Sequence, residues 1–485
     1  MQSRQEISPL YQEITVPLTP EEALRAFQNE PGLLFLDGQH EAGHFSFLTA
    51  SPFQTIRESR GEWFVDEKKI HLENPLAFLQ SLVSCWQVSP SKGAPPFPGG
   101  LAGYFSYEFA NYLEKLPCPK DSPINPPGLW LGMYDWVLAF NLSTGKTHLV
   151  STGIPEETAS GRILRAHKQA AWVMEKIHSR QELHFPVIFP LPADLSGWIE
   201  PTSQDGLFAD FSEADYLNRI GQAREFIHAG DCFQVNFTQR FWHRQLLPNL
   251  DQYEILRQVC PAPHSAYFST PWGAILSASP ERFLSVRNGQ VQTFPIKGTR
   301  PRGKTQELDQ QLAEELASSA KDRAENVMIV DLMRNDLGRV CQYGSVQVKS
   351  LCQVETFSNV HHLVSQVQGQ LAPGKTPMDL FFGCFPGGSI TGAPKIRSME
   401  IIHQLEKTPR GIYCGNLGYF GFDGSVDTSI LIRSIFSHKG WLQFGAGGGI
   451  VADSVPSEEY SEVWNKASGI LRMLEETKKA ALQIT

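Results

Sequence analysis

Two pairs of acidic residues share a spacing of three positions. Asp322 and Glu325 lie in KDRAENVMIVDLMRND, and Glu459 and Glu462 lie in SEEYSEVWNKA. On a helix each pair would occupy one face, because residues three apart are neighbours there. Carboxylate oxygens with bound water are the ligands that Mg²⁺ prefers. The spacing predicts a magnesium site, and a solvated helical face beside basic residues is the structural alternative.

Two glycine-rich segments could bring backbone N–H groups close to an anion. They are FPGGSITGAPK, residues 385–395, and FGAGGGIV, residues 444–451. Glycine allows this approach because it has no side chain. Neither segment matches a nucleotide-binding glycine motif, so we expect a small carboxylate ligand. A tight turn or a β-bulge is the alternative for Gly447, Gly448 and Gly449.

Lys297 and Glu281 are candidates for covalent and proton-transfer chemistry. Lys297 lies between Pro-Ile and Gly-Thr in FPIKGTRPRG, and partial removal from water would lower its pKa and make it a nucleophile or base. Glu281 follows Ser-Pro in SASPERFL, early in a predicted strand, where burial would raise the pKa of its carboxyl for general-acid work. A solvated lysine and a pairing of Glu281 with Arg282 are the alternatives. The adjacent His361 and His362 should point to opposite faces of a strand and share no metal.

Helices and strands must both contribute to positioning these groups. A capping pattern at Ser212 begins a helix predicted over residues 213–229. Residues 233–241 alternate apolar and polar side chains, which predicts a strand with Gln234 on its polar face. Further helices are predicted over 305–320 and 321–337, and further strands over 274–286, 344–354 and 415–422. Because helices and strands do not alternate strictly, we predict an α+β fold with substantial antiparallel sheet.

The composition excludes several classes of partner. Among 485 residues, 42 Lys and Arg stand against 51 Asp and Glu, which gives a net charge of −9. We expect such a chain, which has no run of basic residues, to offer no basic surface that could bind nucleic acid and to be repelled by anionic membranes. The eight cysteines form no CxxC pair, so we expect buried, reduced thiols. The N-terminus lacks a signal-peptide core and no apolar stretch approaches the roughly 20 residues of a spanning helix, so we expect a cytoplasmic protein.

Two proline-rich segments, residues 89–100 and 185–192, interrupt the first half of the chain. Proline fixes φ and removes a hydrogen-bond donor, so both segments predict connections. We place a boundary at the second segment, between an N-terminal region, residues 1–200, and a catalytic region, residues 205–475. A long loop within one domain is the alternative.

A series of ordered motifs closely resembles the chorismate-utilising enzymes, which include anthranilate synthase component I, aminodeoxychorismate synthase component I, and the isochorismate and salicylate synthases. The motifs span about residues 231–471 and are GDCFQVN, SASPERF, PIKGTRPRG, AENVMIVDLMRNDLGRV, VHHLVS, FPGGSITGAPKIRSMEII, CGNLGYFG, ILIRS, AGGGIVADS and EEYSEVWNKA. The resemblance implies an anthranilate synthase component I-like fold, in which two packed, mostly antiparallel sheets with surrounding helices form one intertwined unit.

Two positions distinguish the chemistries within this family. Members that add water carry a lysine base where this chain has Gln234, and members that make anthranilate usually have alanine where it has Lys297. The sequence PIKGT with lysine is the aminodeoxychorismate synthase pattern. By resemblance, Lys297 attacks C2 of chorismate while the C4 hydroxyl leaves with Glu281 as general acid. Ammonia then adds at C4 and expels the lysine, which gives 4-amino-4-deoxychorismate, a precursor of 4-aminobenzoate and folate.

The resemblance also implies how the chorismate dianion is held. A Mg²⁺ ion on Glu325, Glu459 and Glu462, with Asp322 outermost, would clamp the ring carboxylate, so binding should depend strongly on the ion. Arg433 offers a bidentate fork for a carboxylate. The full set of expected substrate contacts is Gln234, Thr299, His362, Thr391, Tyr413, Arg433, Gly447, Gly448, Gly449 and Lys466.

A separate partner is expected to supply ammonia. None of the eight cysteines lies in a GxCxG context, so we expect ammonia from solution or from a glutamine amidotransferase subunit acting in trans. The segment Leu36-Asp37-Gly38 departs from the Leu-Asp-Ser or Leu-Glu-Ser of relatives. The sequence therefore does not decide whether the N-terminal pocket for an aromatic amino acid, found in some relatives, is retained. Anthranilate synthase component I, opposed by Lys297, and a non-catalytic chorismate- or tryptophan-binding regulatory subunit are the alternatives.

Overall fold

The computed structural model describes residues 8–38, 45–89, 93–179, 193–357 and 360–484. The side chain of Ser212 caps the N-terminus of one helix and that of Ser319 caps another. No described helix is long and apolar enough to cross a membrane. The α-helices of the described residues are α1 (Pro20–Ala26), α2 (Pro75–Ser84), α3 (Ala159–Ser179), α4 (Glu213–His228), α5 (Asn249–Val259), α6 (Gln306–Ser318), α7 (Ala320–Gly338), α8 (Pro377–Cys384), α9 (Lys395–Leu405) and α10 (Pro456–Ile484).

The strands vary widely in length, and the two longest border the candidate site. In chain order they are β1 (Leu10–Ile14), β2 (Leu34–Asp37), β3 (Phe45–Thr49), β4 (Gln54–Ser59), β5 (Glu62–Val65), β6 (Lys68–Ile70), β7 (Gly100–Phe105), β8 (Leu129–Tyr134), β9 (Trp136–Asn141), β10 (Lys146–Ser151), β11 (Glu200–Pro201), β12 (Leu207–Ala209), β13 (Gln234–Arg244), β14 (His264–Thr270), β15 (Gly273–Ser279), β16 (Arg282–Arg287), β17 (Gln290–Thr293), β18 (Ile296–Pro301), β19 (Gln347–Thr356), β20 (Val360–Gln370), β21 (Gly392–Ala393), β22 (Asn416–Gly421), β23 (Val426–Ile430), β24 (Ser434–His438) and β25 (Trp441–Ile450).

These strands form two antiparallel sheets in the described part of the chain. The first has 13 strands in the order β1-β10-β9-β3-β2-β14-β15-β24-β25-β13-β12-β11, with β21 beside β13. The second has 12 strands in the order β18-β20-β17-β16-β23-β22-β7-β8-β4-β5-β6, with β19 beside β20. Strands from both halves of the chain are neighbours in each sheet, as in the pairs β2–β14 and β7–β22. The prediction of an α+β fold with two mostly antiparallel sheets is confirmed.

The sheets pack face to face, and helices cover their outer faces. Along β3, Phe47 belongs to the core between the sheets, whereas Leu48 belongs to the core under α4, α5 and α10. Along β7, Tyr104 faces the first sheet and Phe105 faces α2, α7 and α8. This alternation follows from the two-residue period of a strand. The described sheets and helices therefore form four layers around three large apolar cores, and a small fourth cluster lies at Leu316, Cys352 and Leu363.

Several predicted elements are confirmed, and one strand prediction is wrong. The helices predicted over 213–229, 305–320 and 321–337 are present as α4, α6 and α7. The strand predicted over 274–286 is broken at Pro280 and Glu281, because the chain crosses there from β15 in the first sheet to β16 in the second. Proline has no N–H for a ladder, which suits this crossing. Glu281 therefore lies between two strands and not early in one.

The alternative of a tight turn at Gly447, Gly448 and Gly449 is also wrong, because the glycine-rich segment lies in a strand. Gly447, Gly448 and Gly449 lie within β25 and pair with β13, and both strands are buried on both faces because helices and the second sheet cover them. A Cβ at Gly447 would lie 2.1 Å from the carbonyl oxygen of Phe237, so this close strand pairing requires glycine.

Two smaller predictions concern the connections and the thiols. The predicted boundary segment, residues 185–192, lies outside the described residues. None of the eight cysteines, all of which lie in the described ranges, forms a disulfide; six are buried, as expected, whereas Cys85 and Cys118 are exposed. Those two lie just after α2 and in the segment that follows Tyr112, outside the helices and strands of the described residues.

Candidate functional site

The candidate site lies where the chain passes between the two sheets. Glu281 lies at the crossing from β15 to β16, and Arg433 lies at the crossing from β23 to β24. Lys297 lies on β18, the first strand in the second sheet's order. In the first sheet β25 and β13 are antiparallel neighbours, and β13 begins and β25 ends beside strand β21, which follows the short turn at Gly388–Ile390. Crossings free these side chains from the sheet faces, so they can meet between the layers.

Lys297 is held by a backbone carbonyl. Its Nζ donates to the carbonyl oxygen of Ser389 at 3.3 Å. Burial lowers the pKa of the Lys297 amine, although the carboxylate of Glu325 opposes that change. A hydrogen bond to a neutral carbonyl does not require the charged form. The amine is therefore available as a nucleophile nearer to neutral pH than a solvated lysine is.

Glu281 is buried beside the same turn. Glu281 is 6% exposed, and burial raises the pKa of its carboxyl to about 7, although the nearby Ser389 side chain and the charge of Lys297 oppose that change. A substantial fraction of the carboxyl is therefore protonated near neutral pH, unlike that of a solvated glutamate. An amine with a lowered pKa and a carboxyl with a raised one meet at Ser389, which is the arrangement that nucleophilic attack with acid-assisted departure requires.

A buried network fixes the turn that carries Ser389. The carbonyl oxygen of Ser389 also accepts the side-chain amide of Asn236 at 3.2 Å. Arg410 donates to the carbonyl oxygens of Ile390 at 2.7 Å and Asn236 at 2.6 Å, and pairs with Glu406 at 2.7 Å. Arg410 and Glu406 are 1% and 3% exposed. Such a buried network holds the turn in one geometry, and so it positions Lys297 through the turn.

Ser389, Asn236 and Arg410 also belong to the site, and the sequence did not predict them. Two features of the sequence could have indicated Ser389 and Asn236 as site residues. Ser389 lies inside the glycine-rich motif, and Asn236 lies two positions after Gln234, on the same face of β13. Arg410 carried no comparable signal, because its partners come from a different strand and turn.

Arg433 is a partly buried guanidinium that lacks an acidic partner. Its backbone adopts a left-handed φ of 50°, and burial lowers its pKa. No carboxylate of the described residues lies within ion-pair distance of it. His362 lies close enough to feel this charge, and burial first, then Arg433, lowers the pKa of His362 to about 3, so the ring is neutral. A buried cation without a counterion favours binding of an anion, such as a carboxylate.

His361 and His362 point in opposite directions, as predicted. Nδ1 of His362 lies 3.0 Å from the hydroxyl of Thr299 on the neighbouring strand β18. His361 instead contacts Asp309 on α6 at 2.9 Å. His362 therefore lies on the face of β20 that is directed toward Arg433, whereas His361 lies on the face that is directed toward α6.

Two helices bring four carboxylates to the site. Asp322 and Glu325 lie in the first turns of α7, and Glu459 and Glu462 lie in the first turns of α10. A Cβ at Gly448 would lie 3.2 Å from Oε2 of Glu459 and 3.6 Å from Oε1 of Glu462, so both glutamates reach one face of β25. Burial raises the pKa of Glu325, against the positive charges of Lys297 and Lys321.

The donor chemistry of these carboxylates fits a hard divalent cation. Their side chains are engaged with bases, since Lys466 contacts Glu462 at 2.6 Å and Arg300 contacts Asp322 at 3.3 Å. In the described ranges, no three acidic, histidine or cysteine side chains are gathered closely enough to hold an ion as they stand. Glu325, Glu459 and Glu462 are the groups that could hold one after their side chains turn toward each other.

The remaining predicted contacts have varied surroundings. Lys466 donates to the carbonyl oxygen of Gly447 at 2.9 Å. The Tyr413 ring packs over Gly445, where a Cβ would lie 2.4 Å from it. Oε1 of buried Gln234 has no hydrogen-bond partner in the part of the chain described. Thr391 is fully buried and its hydroxyl donates to the carbonyl oxygen of Gly387 at 3.0 Å, so it fixes the turn instead of presenting a free donor.

Comparison with known proteins identifies relatives that span most of the chain. Residues 34–472 match the family described as chorismate binding enzymes. The chain is 39% identical over 440 residues to aminodeoxychorismate synthase component 1 of Escherichia coli, covering 90% of this chain and 91% of that protein. It is 38% identical over 431 residues to anthranilate synthase component 1 of Thermus thermophilus, covering 89% of each.

A solved structure gives the same picture of the fold. The crystal structure of anthranilate synthase component I from Streptococcus pneumoniae superposes with a TM-score of 0.76 at 31% identity, covering 89% of this chain and 94% of that one. The family match includes every site residue named above.

Proposed function

The chain belongs to the family of chorismate-binding enzymes and acts on chorismate, and from this premise we propose that it is component 1 of an aminodeoxychorismate synthase. The proposed reaction converts chorismate and ammonia to 4-amino-4-deoxychorismate. Relatives named for this activity and relatives named anthranilate synthase are equally similar in sequence, at 39% and 38% identity. The site must therefore distinguish the two reactions.

The observation that carries the proposal is the pair of Lys297 and Glu281 at Ser389. An enzyme that transfers ammonia directly needs no lysine nucleophile, whereas here an amine with a lowered pKa hydrogen-bonds to the residue that also contacts the general acid. A regulatory chorismate-binding subunit would need neither group. The pairing supports covalent catalysis through Lys297.

In the proposed mechanism the neutral amine of Lys297 attacks C2 of chorismate, both ring double bonds shift toward C4, and the C4–O bond breaks. Glu281 gives the proton with which the hydroxyl leaves as water. Ammonia then attacks C4, the bond between C2 and Lys297 breaks, and the proton released by ammonia restores Glu281. The sum of these steps exchanges the C4 hydroxyl for an amino group, and both residues return to their starting state.

The carboxylates of chorismate are assigned to the cationic side of the site. Arg433 and the neutral His362 face one carboxylate, with Thr299 supporting the histidine ring. We assign Glu325, Glu459 and Glu462, with Asp322 outermost, as ligands of a Mg²⁺ ion, which when bound neutralises the second carboxylate. Further contacts are proposed from Gln234, Tyr413, Lys466 and the backbone at Gly447, Gly448 and Gly449.

Product analysis tests the proposed function. The purified protein is incubated with chorismate, Mg²⁺ and excess ammonium at mildly alkaline pH, with and without an aminodeoxychorismate lyase, and the products are identified by mass spectrometry. We expect an aminated chorismate that becomes 4-aminobenzoate only with the lyase. Anthranilate with pyruvate would assign the chain to the other activity, and unchanged chorismate would support a regulatory role.

A glutamine amidotransferase subunit is the proposed source of ammonia in the cell. The relatives are named component 1, which supports a second component. Addition of the glutaminase subunit and glutamine should replace ammonium in the product assay. Failure of every tested glutaminase to stimulate the reaction would contradict this part of the proposal.

We predict that Arg433→Ala raises the KM for chorismate about 100-fold with a smaller change in kcat, because a charge-assisted, bidentate contact is lost. Arg433→Lys should recover part of the loss. Both variants keep a non-glycine residue at a left-handed position, so they share the backbone cost. Initial rates with varied chorismate measure the effect, and the exposed Arg334→Ala is the matched control. An unchanged KM would contradict the assignment.

We also predict that removal of divalent cations raises the Kd for chorismate at least about 10-fold, because an acidic site repels a dianion. Titration calorimetry in chelator measures the affinity, and readdition of Mg²⁺ should restore it. Undiminished affinity in chelator would contradict the role assigned to Glu325, Glu459 and Glu462.

A further inference from the structure

The first turn of α7 places a lysine among the four carboxylates. Lys321 is the second residue of α7, and its Nζ lies 3.7 Å from Oε1 of Glu459 on α10. Its ammonium also lies close enough to Asp322, Glu325 and Glu462 to interact with them electrostatically. One flexible cation therefore faces every acidic group that the proposed function assigns to a metal ion.

Local helix energetics does not explain this lysine. The N-terminus of a helix carries partial positive charge, so a lysine in the first turn is disfavoured there. The helix is already capped, because the side chain of Ser319 accepts the N–H of Asp322. The Lys321 side chain is 58% exposed, so packing does not hold it either. The remaining interaction that stabilises the position of Lys321 is the attraction of its ammonium to the carboxylates on α10.

The carboxylates are held apart in this arrangement. Oε1 of Glu459 accepts the hydroxyl of Ser454 at 2.6 Å and faces Lys321, while Glu462 contacts Lys466 at 2.6 Å. Asp322 contacts Arg300. A divalent ion needs several of these oxygens at once, so some of the contacts with bases must be released when it binds. Lys321 is the base best suited to leave, because its contact with Glu459 is long and its side chain reaches solvent.

We propose that Lys321 is the resident counterion of the carboxylate cluster and that a divalent cation must displace it in order to bind. The inference rests on the magnesium site of the proposed function. Without the cation, Lys321 offsets repulsion among the four carboxylates. With the cation bound, its ammonium turns to solvent. Lys321 therefore lowers the affinity for the metal and stabilises the metal-free protein.

Titration of the protein with Mn²⁺ tests the proposal without chorismate. Free Mn²⁺ is measured by electron paramagnetic resonance after chelator treatment and dialysis. We expect Lys321→Gln to lower the Kd for Mn²⁺ about 10-fold, because one competing positive charge is removed from the site. Lys321→Arg keeps the charge and should bind like the unmodified protein. Lys375→Gln, at an exposed lysine in the turn before α8, is the matched control and should change nothing.

Thermal unfolding of the metal-free proteins gives the second readout. In chelator, Lys321→Gln should melt about 1–2 °C below the unmodified protein, and Mn²⁺ should remove the difference. Equal or weaker Mn²⁺ binding in Lys321→Gln would overturn the proposal. If neither protein binds Mn²⁺, both this inference and the magnesium site fail, whereas the products formed from chorismate decide the reaction independently.

Discussion

Lys297→Ala should lose at least about 100-fold in kcat for 4-amino-4-deoxychorismate, because the nucleophile that opens the proposed reaction is removed. Lys297→Arg should be equally impaired, since a guanidinium stays charged and does not attack carbon. Lys304→Ala, at an exposed lysine on the loop before α6, is the matched control. Activity is measured with ammonium as the nitrogen source, so that a glutaminase partner does not enter the comparison.

A covalent adduct separates catalysis by Lys297 from a role in binding. When ammonia is withheld, the proposed sequence stops after C–O cleavage, with the ring attached to Lys297. The denatured protein should then gain the mass of one chorismate less one water, and peptide mapping should place the gain on the peptide that contains Lys297. The alanine variant should show no such gain. An adduct that survives in Lys297→Ala, or full activity of that variant, would exclude the lysine as nucleophile.

Sequence spacing predicted the side chains of the site better than their surroundings. Asp322 with Glu325 and Glu459 with Glu462 could be placed on helix faces, because the i,i+3 relation is local. Lys297 and Glu281 could be selected because their flanking residues predicted partial burial. These inferences need only a few neighbouring residues, and the structure brings all six side chains to the candidate site.

Contacts between distant segments could not be predicted in the same way. The crossing at Pro280 depends on β15 and β16 joining different sheets, whereas the alternating pattern there also fits one continuous strand. The glycines of β25 suggested a turn, because the requirement for glycine comes from the backbone of β13 at 2.1 Å. Arg410 and Lys321 acquire their roles from partners on other elements. One sequence contains no direct record of such long-range contacts.

Glu281→Gln should reduce the rate of adduct formation by about 10²–10⁴, the usual contribution of a positioned general acid. The amide keeps the shape of the carboxyl and cannot give a proton to the departing hydroxyl. Adduct formation in single turnover without ammonia is the appropriate measurement, since protonation of ammonia then plays no part. Glu355→Gln, on the exposed strand β19, is the matched control for the loss of one carboxyl.

The pH dependence of the same step tests the role of Glu281 more sharply. Burial raises the pKa of Glu281 to about 7, so the acid form is lost as the pH rises through that value, and the rate should fall above it. Glu281→Gln should lack this descending limb because an amide does not titrate. Ser389→Ala should move the limb to higher pH, since the nearby Ser389 side chain lowers the pKa of Glu281. A descending limb that persists near pH 7 in Glu281→Gln would assign the titration to another group. Glu281 would then not be the general acid of this step.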